Sequence, residues 1–412
     1  MCEVDCIDTN IKRWIRDAFK DDKFKIMSID KTGSTSEGEG YIGNISFVTV
    51  TALTPSNNPK IFNLVIKYAK SLNPEEVLLP FQLAYERENL IYGTVVPAFH
   101  EFEKQYNNVI TDKHLPKCFG TLSYGKLNIL ILQNVKAENY QLHELHRPLN
   151  LEHLKLTFSS YGKWHGLSLA YRHHRPKKFE NMFGNLRRCV LQDVMELSHK
   201  AVQTSEECMY IMLENNNELK IMEKLRKLFP DGFSSEIIRV LKCQADEEKI
   251  VLGHGDCWNN NFMYKYSELD QSKPESVLFL DFQISSPGSP VLDLSYHLYA
   301  TASGQELAHL KELLDIYYSS LSDTLKKFDC DPEVVFPYSE LVLQWKKYSA
   351  FGVMMAIFVL QFLLADKEDI VDFRDVGGDN FSATLLKLAK GNGRAYPRLL
   401  AAIKHYLDFE DF

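Results

Sequence analysis

Between Ile250 and Leu294 the chain carries carboxylates and amides at spacings that suit chemistry. The stretch runs Ile250-Val-Leu-Gly-His254-Gly-Asp256-Cys-Trp-Asn-Asn-Asn261, then Val277-Leu-Phe-Leu-Asp281-Phe-Gln283, then Pro290-Val-Leu-Asp293-Leu. Two apolar runs rich in Val, Ile, Leu and Phe read as short buried strands, and each is followed by a carboxylate. His254-x-Asp256-x-x-x-x-Asn261 has the spacing at which phosphoryl transfer uses an Asp to accept the proton of an attacking hydroxyl and an Asn to hold a metal ion. Asp281 then falls where a second metal-binding Asp would stand. Asn261 and Asp281 together offer hard oxygen ligands of the kind Mg²⁺ takes alongside substrate phosphates. His254 reads as a brace of this loop. Asp293 reads either as a hydrogen-bond acceptor for the loop or as a cap of the following helix.

Phosphoryl transfer also needs phosphate charge neutralised and reactants held in line, so partners must come from elsewhere in the chain. Upstream, Lys31 to Gly43 form a glycine-rich turn in which Gly38, Gly40 and Gly43 would let backbone N–H groups approach phosphate oxygens. Phe47 to Leu53, the turn Pro55-Ser-Asn-Asn-Pro59 and the strand Ile61 to Lys67 read as a β-hairpin. Lys67 closes an otherwise apolar strand, a costly position for a cation without a partner. The segment Leu78 to Pro97 reads as a helix whose apolar positions Phe81, Ala84, Tyr85 and Tyr92 leave Glu88 able to point inward, with Glu86 as its rival. A strand Lys oriented by a helix Glu is how nucleotide kinases grip phosphates. The apolar strand Leu127 to Val135 then meets a polar connector, where the backbone at Gln133 and Val135 could read an adenine edge.

The flanking segments read as packing. Residues 3 to 29 read as a helix with Ile7, Ile11, Trp14, Ile15 and Phe19 on one face, and from Leu151 the pattern turns helical, with His165 a packed helix histidine. Arg172-His-His-Arg-Pro-Lys-Lys178 is either a solvated basic loop or a phosphate contact. Residues 293 to 412 read as helical, and their apolar run from Tyr348 to Ala365 reads as a buried helix rather than a membrane span. Tyr296, Tyr299, Phe351 and Phe358 could line a pocket for an apolar substrate or form plain core.

With 412 residues the chain is long enough for two lobes, and its 45% hydrophobic and 25% charged content is globular. A net charge of −8 leaves no basic face for nucleic acid. Eight scattered cysteines without a Cys-x-x-Cys pair, and an acidic N-terminus without an apolar signal core, fit a reducing, cytoplasmic setting. The expected architecture is α+β and bilobal, with a small β-rich nucleotide-binding lobe over 1–135 and a large helical lobe over 136–412.

The His254-Gly-Asp-Cys-Trp-Asn-Asn-Asn261 loop, Asp281-Phe-Gln283 and Pro290-Val-Leu-Asp293-Leu resemble the ecdysteroid kinase-like family, a branch of the superfamily of choline kinase and the aminoglycoside phosphotransferases. The Gly38-Glu-Gly-Tyr turn, the Val-Ile-Lys67 strand and Glu88-x-x-x-Tyr92 extend the likeness over most of the chain. The resemblance implies a protein-kinase-like fold without an activation loop, ATP and Mg²⁺ as cofactors, and transfer of a phosphoryl group to an alcohol of an ecdysteroid or a hydroxylated xenobiotic. Two positions depart from the family pattern, Asn134 where an acid is frequent and Cys257 where Leu is usual; both are expected to touch substrate fit. His-Gly-Asp in place of His-Arg-Asp, Asp-Phe-Gln in place of Asp-Phe-Gly, and no Ala-Pro-Glu all disfavour a protein kinase. The alternative is a silent binder of a hormone or partner, which would respond to sterol and not to Mg-ATP. No membrane insertion and no obligatory protein partner are expected.

Overall fold

The computed structural model describes residues 3–20, 23–34, 43–69, 79–125, 127–186, 192, 195–196, 198–243, 248–268, 270–364, 379–390 and 393–410. Helix α1 (Glu3–Ala18) buries Ile11, Trp14 and Ile15, and Phe19 packs just beyond its end. It lies against a five-stranded antiparallel sheet ordered β1-β2-β3-β5-β4. The strands are β1 (Lys25–Ser34), β2 (Gly43–Leu53), β3 (Pro59–Ala69), β4 (Cys118–Tyr124) and β5 (Leu127–Gln133). The β2–β3 hairpin forms in the expected register, Phe47 opposite Val65 and Ile45 opposite Lys67. Val48, Val50, Leu64, Ile66, Ile129 and Ile131 close one face over α1, the period-two pattern of a half-buried sheet.

Two boundaries differ from expectation. The helix expected over 3–29 stops at Ala18, and Lys25 opens the edge strand β1. Ile26 and Ile29 fit a helical period, but pairing of Ile26 with Ala52 and Ile29 with Val50 fixes the segment as strand. The second helix runs past Pro97: α2 (Leu79–Leu90) passes through a π turn (Ile91–Val95) into α3 (Val96–Gln105). Pro97 cannot donate an α-helical hydrogen bond, and the wide turn before it absorbs the missing bond. The short helix α4 (Thr111–His114) follows.

The remainder is largely helical. Helix α5 (Leu151–His174) is its axis, capped by Asn150, whose side chain accepts from the His153 N–H at 3.1 Å. Among the described residues five short strands interrupt the helices. Strands β6 (Tyr140–Leu142), β8 (Phe262–Tyr266) and β9 (Pro274–Phe279) form one small sheet, and β7 (Val251–Gly253) pairs with β10 (Ser286–Gly288). These strands carry the loops that bear His254, Asp256 and Asp281. The apolar run at 348–365 contains a 14-residue buried helix, Ala350–Leu363, and no helix among the described residues is long and apolar enough to cross a membrane. Tyr296, Tyr299, Phe351 and Phe358 are core, each at most 2% exposed, and Tyr296 packs edge-on to Phe351 at 6.2 Å. The fold is α+β and bilobal, with a β-rich part followed by a helical part.

Candidate active site

Lys67 lies two residues before the end of β3, and its register opposite Leu130 of β5 turns the amine toward the helical part. There it meets two carboxylates, Glu88 of α2 at 2.7 Å and Asp281, just beyond β9, at 2.5 Å. Glu88 is 2% exposed and is the partner of Lys67; Glu86 instead accepts from the Gln82 amide at 2.9 Å on the exposed side of α2. Burial alone would pull the lysine pKa down, and Asp281 and Glu88 overcome it and raise it. Burial and the nearby Asp281 push Glu88 up, with Lys67 opposing. A cation shared between two acids in this way stays protonated throughout the neutral range.

The loop after β7 is shaped by Gly255, which adopts φ +88°, where a Cβ would approach the Ile284 carbonyl oxygen to 2.7 Å. His254 is fully buried. Its Nε2 lies 2.7 Å from the Leu280 carbonyl, and the Asp256 N–H reaches its Nδ1 at 3.2 Å. That pattern requires a neutral ring with the proton on Nε2, consistent with a pKa lowered by burial. His254 therefore braces the loop, as the sequence suggested. Asp293 accepts from the N–H groups of His254 at 2.6 Å and Gly255 at 2.9 Å, and from the Cys257 thiol at 3.2 Å. Ser289, whose side chain accepts from the Val291 N–H, caps the helix Pro290–Thr301, so of the two roles open to Asp293 the loop acceptor holds. Burial raises Asp293, but His165 and the donated hydrogen bonds more than offset it and leave its carboxyl below the ordinary value.

Two expectations change here. His165 is more than packing, because its Nε2 lies 3.2 Å from Asp293 and its Nδ1 3.1 Å from the Tyr317 hydroxyl. Cys257 is fully buried and bonded to Asp293, so it belongs to the loop's scaffold and does not face a substrate.

Asp256 follows the glycine turn. Burial and the charge of Asp281 push its pKa up to about 7, against hydrogen bonds from the Asn261 and Trp258 side chains and the charge of Lys67. The Tyr296 hydroxyl also bonds the Asp256 carboxylate. Neither contact of Trp258 or Tyr296 follows from the motif, and the aromatic run of the Pro290–Thr301 helix was the only trace of the second. Asn261 spends its Nδ2 on the Asp256 carbonyl at 2.8 Å. Its own carbonyl accepts from the Leu280 N–H at 2.9 Å, which sets it beside the Asp281 segment. Asp281 sits in the left-handed region at φ +66°, an uncommon backbone state for a non-glycine residue.

The remaining expected residues are placed as follows. Gly38 and Gly40 lie outside the described residues. Gly43 is buried at the start of β2, where a Cβ would overlap the Tyr85 hydroxyl, so close approach of α2 demands a glycine there. Gln133 ends β5 and donates from Nε2 to Glu138, while its N–H donates to the Lys117 carbonyl at 2.8 Å. Val135 is buried against Met263 and Leu278. Asn134 caps the next turn by accepting from the Lys136 N–H at 3.2 Å. In the basic stretch at 172–178, Arg172 donates to the Glu248 carbonyl and Arg175 to the Gln105 side chain at 2.6 Å, both partners remote in sequence.

The geometry thus brings Lys67, Glu88, Asp256, Asn261 and Asp281 to one place, and residues 37–330 match the profile of the ecdysteroid kinase-like family. The chain belongs to that family. Its members are kinase-like small-molecule phosphotransferases. Similar solved structures include an aminoglycoside 2′-phosphotransferase-IIIa mutant in complex with GDP, at 11% identity, TM-score 0.41, and coverage of 93% of this chain and 96% of that one. An aminoglycoside-3′-phosphotransferase of type VIII is similar at 13% identity and TM-score 0.31, over 85% and 98% of the two chains. A macrolide 2′-phosphotransferase from Brachybacterium faecium is similar at 9% identity and TM-score 0.33, over 84% and 97%. No curated protein matches the chain. As an ecdysteroid kinase-like chain it carries the family's loop residues in a buried, internally bonded setting.

Proposed function

We propose that this protein is an ATP- and Mg²⁺-dependent phosphotransferase acting on an alcohol hydroxyl of a lipophilic small molecule, an ecdysteroid or a hydroxylated xenobiotic. The observation that carries the reading is Lys67, held at 2.7 Å from Glu88 and 2.5 Å from Asp281 across 214 residues of sequence. The donor set suits the two cofactors. Asp281 and the Asn261 side-chain oxygen, whose amide nitrogen is already spent, are hard oxygen ligands at one edge of the site. Among the described residues no cluster of three or more His, Cys, Asp or Glu could hold a metal by itself, so a cation here would lean on nucleotide phosphates. When bound, Mg-ATP supplies the phosphoryl group and the charge neutralisation of its transfer.

The chain's residues have separate tasks in this reading. Lys67, oriented by Glu88, grips the phosphates, and the backbone of the glycine-rich stretch at Gly38 and Gly40 is proposed to approach them, while Gly43 makes room for Tyr85 of α2. The backbone at Gln133 and Val135 borders the adenine, between lobes we take as 1–135 and 136–412. Asp256 orients the acceptor hydroxyl and takes its proton, a task suited to a carboxyl raised to about 7. Asn261 and Asp281 hold the metal. A cytoplasmic setting belongs to the same reading, since Cys118, Cys208, Cys243, Cys257 and Cys330 are all free thiols.

The test incubates the purified chain with ATP, Mg²⁺ and a panel of ecdysteroids and hydroxylated xenobiotics, with thermal stabilisation by Mg-ATP followed in parallel. Phosphorylated product is expected with at least one acceptor. No product together with no Mg-ATP stabilisation would sink the proposal.

A further inference from the structure

Glu88 is not the only charged residue that α2 buries. Its neighbour Arg87 is 5% exposed, and its Nη1 donates to the Ser285 carbonyl at 2.5 Å and to the Leu186 carbonyl at 3.2 Å. Ser285 lies four residues beyond Asp281, inside the segment that closes the site. The same segment touches α2 and its continuation twice more. The Phe282 N–H donates to the Glu88 carboxylate, and the Phe282 ring meets Tyr92 edge-on at 6.2 Å.

The contact also reaches the catalytic loop. The Ser285 hydroxyl donates to the Gly253 carbonyl at 2.5 Å, and Ser286 pairs with Gly253 in the β10–β7 ladder. Gly253 is the residue before His254. One guanidinium therefore ties α2, the segment after Asp281 and the strand feeding Asp256 into a single unit. An arginine at a buried position is costly, and a methionine would fill similar volume without the desolvation. What arginine adds is a rigid fork of donors that no accessible pH neutralises.

We propose that Arg87 is a positioning residue that clamps α2 to the segment after Asp281, so that Lys67, Glu88 and Asp281 stand assembled before any ligand binds and without a covalent switch. The proposal deepens the phosphotransferase reading and rests on it for its kinetic consequence. Arg87 touches no reacting atom; it acts through Glu88 and Asp281.

The test compares the full chain with Arg87→Met and Arg87→Lys. Hydrogen exchange on ligand-free protein is read first. In Arg87→Met, amides at 282–286 should exchange about tenfold faster or more, with α5 and the Pro290–Thr301 helix unchanged. Unaltered exchange at 282–286, or an equal rise everywhere, would overturn the clamp. Turnover is read second. Arg87→Met should lose about 10- to 100-fold in kcat and need more Mg²⁺, the usual effect of removing a residue that orients a metal ligand. KM for the acceptor should stay within about twofold, and Arg87→Lys should recover part of kcat by reaching the Ser285 carbonyl alone. Wild-type protein that ignores Mg-ATP would sink the functional reading, and the exchange comparison would still decide the clamp.

Discussion

Replacing Lys67 by Met isolates the electrostatics of the site. The variant keeps volume and removes the one cation between Glu88 and Asp281, whose side chains are 3% and 27% exposed. Breaking a buried pair by deleting one partner costs about 3–5 kcal/mol, because a charge is left buried without compensation. A proton on Glu88 relieves part of that cost. Burial and Asp281 already raise Glu88 while Lys67 opposes, so without Lys67 its pKa must rise further. The sign follows from linkage. A carboxyl whose folded pKa lies above its unfolded one binds more protons when folded, so stability is greatest in acid and falls as pH rises through the folded value. Lys67→Met should therefore lose about 3 kcal/mol or more against wild type at pH 8. It should lose less at pH 6, the difference approaching about 1.4 kcal/mol per pH unit. Urea unfolding at both pH values reads this directly, with the slope m checked for constancy. Lys67→Met/Glu88→Gln should regain most of the stability at pH 8 and none of the turnover. A Lys67→Met protein as stable as wild type at pH 8, or one that Glu88→Gln fails to rescue, would refute the reasoning.

Three further outcomes are expected. Asp256→Asn should lower turnover about 10²- to 10⁴-fold, the usual worth of a positioned general base, while Mg-ATP still raises the melting temperature. Acid should unfold the protein through buried neutral histidines: burial lowers His114, His153 and His297 from 6.5 to about 4. The unfolded chain binds those protons first, so stability falls between pH 6.5 and 4 by about 3 kcal/mol for each, measurable as a drop in urea midpoint that His114→Gln lessens. Gly352→Ala tests the seat of the Pro290–Thr301 helix, because the added Cβ would overlap the Ser295 carbonyl and stand 2.6 Å from the Ser295 Cβ. Overpacking costs about 1–3 kcal/mol and the gain in helix propensity is about 1, so a net loss is expected in denaturant unfolding, and a net gain would show that the helices do not approach so closely.

What the sequence made legible was whatever is local. The His254 to Asn261 loop and the inward Glu88 each lie within a dozen residues, and the β2–β3 hairpin closes on a single tight turn, so spacing and turn chemistry constrain the geometry. The partners of Asp293 and Ser285 are remote. His165 stands 128 residues from Asp293 and Arg87 198 from Ser285, and no period links them. Arg87 nevertheless left a signal. Ala84, Arg87, Glu88, Ile91 and Tyr92 fall on one helical stripe, and all five are buried. Two charges inside an apolar stripe mark a polar contact across an interface, whereas Arg87 between two glutamates looks like part of a solvated run. The end of α1 was missed for a different reason: Ile26 and Ile29 satisfy both periods, and only pairing with β2 separates them.

The two halves of the site are fixed by different means. The loop around Asp256 is bonded within the helical part. Asp293 gathers the His254 and Gly255 N–H groups, the Cys257 thiol and His165, and His165 is fixed in turn by Tyr317. An asparagine could offer one oxygen where Asp293 uses both, so a carboxylate is required at that position. The Lys67–Glu88–Asp281 cluster has no such enclosure. Lys67 comes from β3, Glu88 from α2 and Asp281 from the far side of β9, so their meeting depends on how α2 sits. A protein kinase sets that seat with a phosphorylated activation segment, which this chain replaces with Asp281-Phe-Gln and no following Ala-Pro-Glu. Arg87 occupies the same place in the logic with a bond made at folding, and for that reason the position of α2 should be insensitive to phosphorylation and sensitive to a single buried side chain.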